Sequence, residues 1–189
     1  MKRFYAILFA LASGPALAHV GADADHAALA AGFWHPLGGA DHSLAMVAVG
    51  LVAARAGGRG RYGIPGAFLA AMTVGFVLGA TRIAVVPAHE AMILASVIGL
   101  GLALALAHPL PAAAAGAAAA LFGLAHGFAH GVEGTLQLGY GAGFVAATAL
   151  LHCAGLLIGM AMQAFRHPVL FRLAGAGFAV AGLALAAAR

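Results

Sequence analysis

From Ala91 to Val132 the chain runs for 42 residues without one Asp, Glu, Lys or Arg. No water-exposed surface is built from such a stretch, since a soluble domain is typically about a quarter charged. It is also about twice the length of a single membrane-spanning helix. His108-Pro109-Leu110-Pro111 lies in its middle, where two prolines stop a helix, so the stretch reads as two spans joined by a turn. The rest of the chain follows suit: over 189 residues only 7% are charged and 64% are hydrophobic. That excludes a soluble enzyme or a nucleic-acid binder. The 53 alanines and 28 glycines suit helices that approach closely in a lipid bilayer. The expected fold is all-α and polytopic.

Residues 1–18 carry the parts of a secretory signal peptide: Lys2 and Arg3, a short apolar run, and Ala16-Leu17-Ala18 as a cleavage site. Residues 19–33 read as an extracytoplasmic, metal-collecting arm that begins at His19 and includes Asp23, Asp25 and His26. Residues 34–189 then form the transmembrane domain, with six spans expected near 34–54, 64–81, 86–106, 112–131, 142–165 and 168–188. With the arm outside, Arg55, Arg59, Arg61, Arg166 and Arg172 fall inside, and Arg82 and Arg189 outside. This satisfies the positive-inside rule and puts both mature termini outside a bacterial-type cytoplasmic membrane.

Ten histidines in a chain with five carboxylates are the anomaly. Ionisable groups inside a membrane are expensive and mark sites or pathways. The first span carries His35, Asp41 and His42; seven residues are about two helical turns, so the two histidines share a face. Asp41 is a ligand or an acceptor that orients an imidazole. The fourth span carries His126 and His130, whose i, i+4 spacing lets one helix chelate a metal, and Glu133 continues that face. Beside them Gly123, Gly127 and Gly131 form a small-residue stripe expected to bring another helix, and its ligands, close. His89 and Glu90 open the third span, without the second histidine of H-E-x-x-H because position 93 is Ile. His152 lies near mid-membrane in the fifth span. Met46 and Cys153 read as packing residues, and His108 and His167 as loop His-Pro pairs.

Imidazole plus carboxylate, with no thiolate cluster, suits Ni, Co, Zn or Cu(II). Two other classes compete. A membrane cytochrome would use facing histidines as haem ligands, although an i, i+4 pair backed by carboxylates favours a harder cation. An intramembrane hydrolase would need a nucleophile, and Ser13, Ser43 and Ser96 all lack a G-x-S-x-G setting. No G-x-x-x-x-G-K-[ST] motif occurs, so the chain itself carries no nucleotide engine of that type.

At His35-x5-Asp41-His42 and His126-Gly-Phe-Ala-His130-Gly-Val-Glu133 the sequence resembles the HupE/UreJ family of nickel permeases. The resemblance extends over essentially the whole chain. It implies a non-enzymatic importer of Ni²⁺, with Co²⁺ as the related alternative, serving hydrogenase or urease maturation. His35, Asp41, His42, His126, His130 and Glu133 would capture the ion, with His19, His89, Glu90 and His152 as further pathway candidates. No permanently bound cofactor is implied; metallochaperones or maturation proteins are the implied partners.

Overall fold

The computed structural model describes residues 22–84, 86–106, 109–133, 136–165 and 168–188. The proposed signal peptide, His19, His108 and His167 lie outside them. Every regular element among the described residues is a helix: α1 (Ala22–Gly38), α2 (Ala40–Ala56), α3 (Gly60–Thr81), α4 (His89–Ala105), α5 (Ala112–Glu133), α6 (Leu138–Ala164) and α7 (Pro168–Ala187).

Helix α2 is the axis of the bundle. Ala45, Met46, Ala48, Val49, Ala53 and Ala54 are fully buried, and α3, α4 and α6 pack around them. Phe68, Met72, Leu104 and Phe144 complete the core from those neighbours, and Ala115, Ala119 and Phe171 add to it from α5 and α7. The outer faces are apolar too: Leu121, Leu157, Leu173 and Val180 are exposed. A bundle with leucine and valine on its outside as well as its inside matches a hydrocarbon solvent.

Four helices, α3, α5, α6 and α7, are long and apolar enough to cross a membrane. The pair α1 and α2, bent by 84°, makes a fifth candidate, and α4 is a shorter apolar helix of 17 residues.

The first expected span differs most from the sequence reading. A straight helix over 34–54 is replaced by two helices meeting at Gly39, which is extended (φ −99°, ψ 118°). Pro36 weakens the end of α1 by removing a backbone donor, and the Ser43 hydroxyl donates to the Pro36 carbonyl (2.9 Å) to hold the corner. The stretch read as an arm is helical from Ala22 on. Its alanines, at 22, 24, 27, 28, 30 and 31, have the highest helix propensity, and the helix docks on α6.

Glycine sets how closely these helices approach. A methyl added at Gly32 would fall on the Tyr140 carbonyl oxygen, and one at Gly143 on that of Leu29, so α1 and α6 meet backbone to backbone. The stripe Gly123, Gly127 and Gly131 does the same against the carbonyls of Phe68, Met72 and Phe76. Its partner is therefore α3, which carries no His, Cys, Asp or Glu. The expectation that the stripe draws in ligands is corrected: it fixes the back of α5, while His126 and His130 meet His35, His42 and Ser96 on α1, α2 and α4.

Candidate metal site

The corner at Gly39 builds the mouth of the site. Ala40 and Asp41 begin α2, and the Asp41 carboxylate accepts the otherwise unpaired backbone N–H of His42 at 2.8 Å. A carboxylate in the first turn is also favoured by the helix dipole. The same oxygen lies 2.8 Å from His42 Nδ1. A methyl at Gly39 would sit 3.1 Å from both Asp41 Oδ1 and His42 Nδ1, so the corner also leaves room for this pair. Asp41 is thereby placed to orient the His42 ring, and the bend brings it to the site.

Across from it, α5 presents His126, His130 and Glu133. The imidazoles form a contiguous file: His35 to His130 at 4.6 Å between ring centroids, His130 to His42 at 4.5 Å, and His42 to His126 at 4.8 Å. His35 and His42 do not share a helical face, because they stand on different helices; His130 joins them. At the mouth, Glu133 Oε2 is 3.5 Å from His35 Nε2 and 3.8 Å from His130 Nδ1. One donor atom from each of these three residues lies within 4.8 Å of the others. A shared ion at about 2.1 Å from each donor needs separations of roughly 3 to 4.2 Å, which modest rotamer changes supply. The mouth opens into a cleft of about 550 Å³ lined by Trp34, His35, Asp41, His42, His130 and Glu133, among others.

The hydrogen bonds assign the ring nitrogens. A carboxylate only accepts, so His42 donates from Nδ1 and keeps its lone pair on Nε2, a buried atom with no hydrogen-bond partner. Ser96 of α4 gives its hydroxyl proton to the Ile93 carbonyl (2.6 Å) and so accepts from His126 Nε2 (3.0 Å). The lone pair of His126 is then on Nδ1, again buried and without a hydrogen-bond partner. Neither nitrogen of His130 has a hydrogen-bond partner, and its ring packs on Phe144 at 4.3 Å. Buried polar atoms are almost always satisfied. Here three neighbouring imidazoles hold buried lone pairs next to a carboxylate, an environment complementary to a cation.

Other candidates fall elsewhere. His89 packs on Phe128 (5.0 Å) with Nδ1 near the Val86 carbonyl (3.1 Å), and Glu90 is exposed at the start of α4; neither joins the file. His26 is exposed on α1. Met46 is core, and its carbonyl accepts from His152 Nδ1 at 2.8 Å. Ser96 carries no sequence motif that marks it as the partner of His126.

Fold and site together define a class: an all-helical, multi-pass bundle with a cation-complementary histidine and carboxylate cluster at one end. The model of the family described as HupE / UreJ protein matches residues 7–185. Protein HupE of Rhizobium leguminosarum bv. viciae is 43% identical over 173 residues, covering 89% of this chain and 88% of that protein. The chain belongs to the HupE/UreJ family. No solved structure matches it significantly.

Proposed function

We propose that this protein is a permease that imports Ni²⁺, with Co²⁺ as the competing substrate, across a bacterial cytoplasmic membrane. The observation that carries the reading is the trio His42, His126 and His130, whose buried ring nitrogens lack hydrogen-bond partners, at the end of the bundle where Glu133 and His35 meet the cleft. Glu133 supplies the charge that draws a hydrated cation in. His35 and His130 replace its first waters, and His42 and His126 take it deeper. Neutral imidazoles avoid the cost of a permanent buried charge until the ion arrives.

The far end of the bundle supports a one-sided opening. Arg55 lies 14 residues along α2 from Asp41, about 21 Å away, and its guanidinium donates to the carbonyls of Leu104 and Leu106 at the end of α4. In the proposed topology this basic end is cytoplasmic, six spans cross the membrane, a signal peptide precedes them, and both mature termini lie outside. Hydrogenase or urease maturation, with its metallochaperones, is the proposed destination of the ion.

Uptake of ⁶³Ni in cells tests the reading. His35→Ala, His42→Ala and His130→Ala each abolish uptake while the protein still reaches the membrane, whereas His108→Ala and His167→Ala leave it intact. Wild-type uptake by all three site variants would refute the assignment.

A further inference from the structure

The file of imidazoles stops at a ring. Phe68 of α3 is fully buried, with its centroid 5.5 Å from that of His126 and 5.0 Å from that of His152, edge-on to the latter at 90°. His152 comes from α6 and is 2% exposed. Its Nδ1 donates to the Met46 carbonyl, so its lone pair is on Nε2, which is buried and has no hydrogen-bond partner. Met46 lies one turn of α2 below His42, about 6 Å further from the mouth.

One turn before His152 on the same face of α6 stands Thr148, fully buried, with its hydroxyl also lacking a partner. That is unusual for a helical threonine, whose hydroxyl ordinarily bonds back to the carbonyl four residues earlier. Thr73 and Thr81 of α3 do so, to Leu69 and Val77 at 2.9 and 2.6 Å. Thr148 does not, although its helix offers the same carbonyl.

Below His152 the way is shut. Gly50 and Gly155 bring α2 and α6 into backbone contact, and a methyl at either would fall on the carbonyl oxygen of His152 or Val47. His152 Nε2 therefore lies beside an aromatic ring and above a closed helix interface, with the Thr148 hydroxyl one helical turn nearer the mouth.

We propose that His152 Nε2 and the Thr148 hydroxyl form a second, inner cation station, next to the outer cluster and in contact with it through the Phe68 ring. It takes the same borderline divalent ion, still partly hydrated, before α2 and α6 part. The proposal rests on the transport reading above, and adds that capture and passage use different ligands.

The test separates binding from passage in the full-length protein. His152→Asn keeps a donor in the Nδ1 position for the Met46 carbonyl and removes the Nε2 lone pair. In purified protein, equilibrium dialysis with ⁶³Ni gives an unchanged dissociation constant for this variant, because the outer cluster is intact. In cells, ⁶³Ni uptake falls by at least about tenfold, the loss typical when a group supporting a metal site is removed. Thr148→Val gives the same split, and Thr148→Ser restores uptake. Should His152→Asn fail to reach the membrane, the near-isosteric Thr148→Val decides by the same two readouts. Wild-type uptake in these variants would overturn the inner station, and so would loss of binding together with uptake, which would make it one site. Failure of the transport reading registers elsewhere, as wild-type binding and uptake in His42→Ala.

Discussion

Replacing Gly127 with alanine tests the claim that the back of α5 positions its front. The added methyl falls on the Met72 carbonyl oxygen of α3, a backbone atom that no rotamer change can move. Restoring an ordinary contact of roughly 3.5 Å requires the two helices to part by between about 1 and 2 Å. Overpacking of this kind costs about 1–3 kcal/mol. Gly127 adjoins His126, so the same displacement shifts that ring relative to His42, whereas a metal constellation tolerates only about 0.5 Å. Gly116 lies in the same helix with nothing within 4 Å of an added methyl. There alanine relieves the helix of a flexible residue and stabilises by about 0.5–1 kcal/mol. The assay is thermal unfolding in detergent beside ⁶³Ni uptake in cells. Gly127→Ala lowers the midpoint and reduces uptake at least about tenfold, and Gly116→Ala holds or raises the midpoint with uptake unchanged. Equal behaviour of the two variants would refute the packing argument.

Three further outcomes are expected. Asp41→Asn leaves a side chain of the same size that no longer demands a proton from His42 Nδ1, so Ni²⁺ affinity falls about 10- to 100-fold in equilibrium dialysis; unchanged affinity would show that Asp41 does not orient the ring. Glu133→Gln removes the carboxylate between His35 and His130 and raises the half-saturation concentration for uptake, while a normal value would place capture elsewhere. His19→Ala does the same at limiting metal with the maximal rate kept, if the new N-terminus collects metal through its amine and imidazole; wild-type uptake at limiting metal would reduce residues 19–33 to a tail.

Much of this arrangement is legible in the residues. The apolar runs mark the helices, and the i, i+4 pair His126 and His130 with Glu133 marks one wall of the site. The bend at Gly39 is less visible, because hydrophobic periodicity reports which face is apolar and is silent about a change of axis. That one corner decides where Asp41 points and why His35 and His42 meet through His130. Likewise the stripe at Gly123, Gly127 and Gly131 announces a close approach without naming the helix that makes it; α3 is the partner because Gly75 and Gly79 offer a matching groove. Ser96 and Thr148 carry no motif. Their meaning comes from who holds their hydrogen bonds, which only the packed structure contains.

The central claim is that buried imidazoles of this chain take a divalent cation with no help from sulfur. X-ray absorption at the nickel edge, on purified protein loaded with one equivalent of Ni²⁺, tests it most directly. The account predicts nitrogen and oxygen neighbours with the multiple-scattering pattern of at least two imidazoles, a pattern that weakens in His42→Ala and His130→Ala. A sulfur neighbour from Met46 or Cys153, or a spectrum of hydrated nickel unchanged by those substitutions, would contradict it.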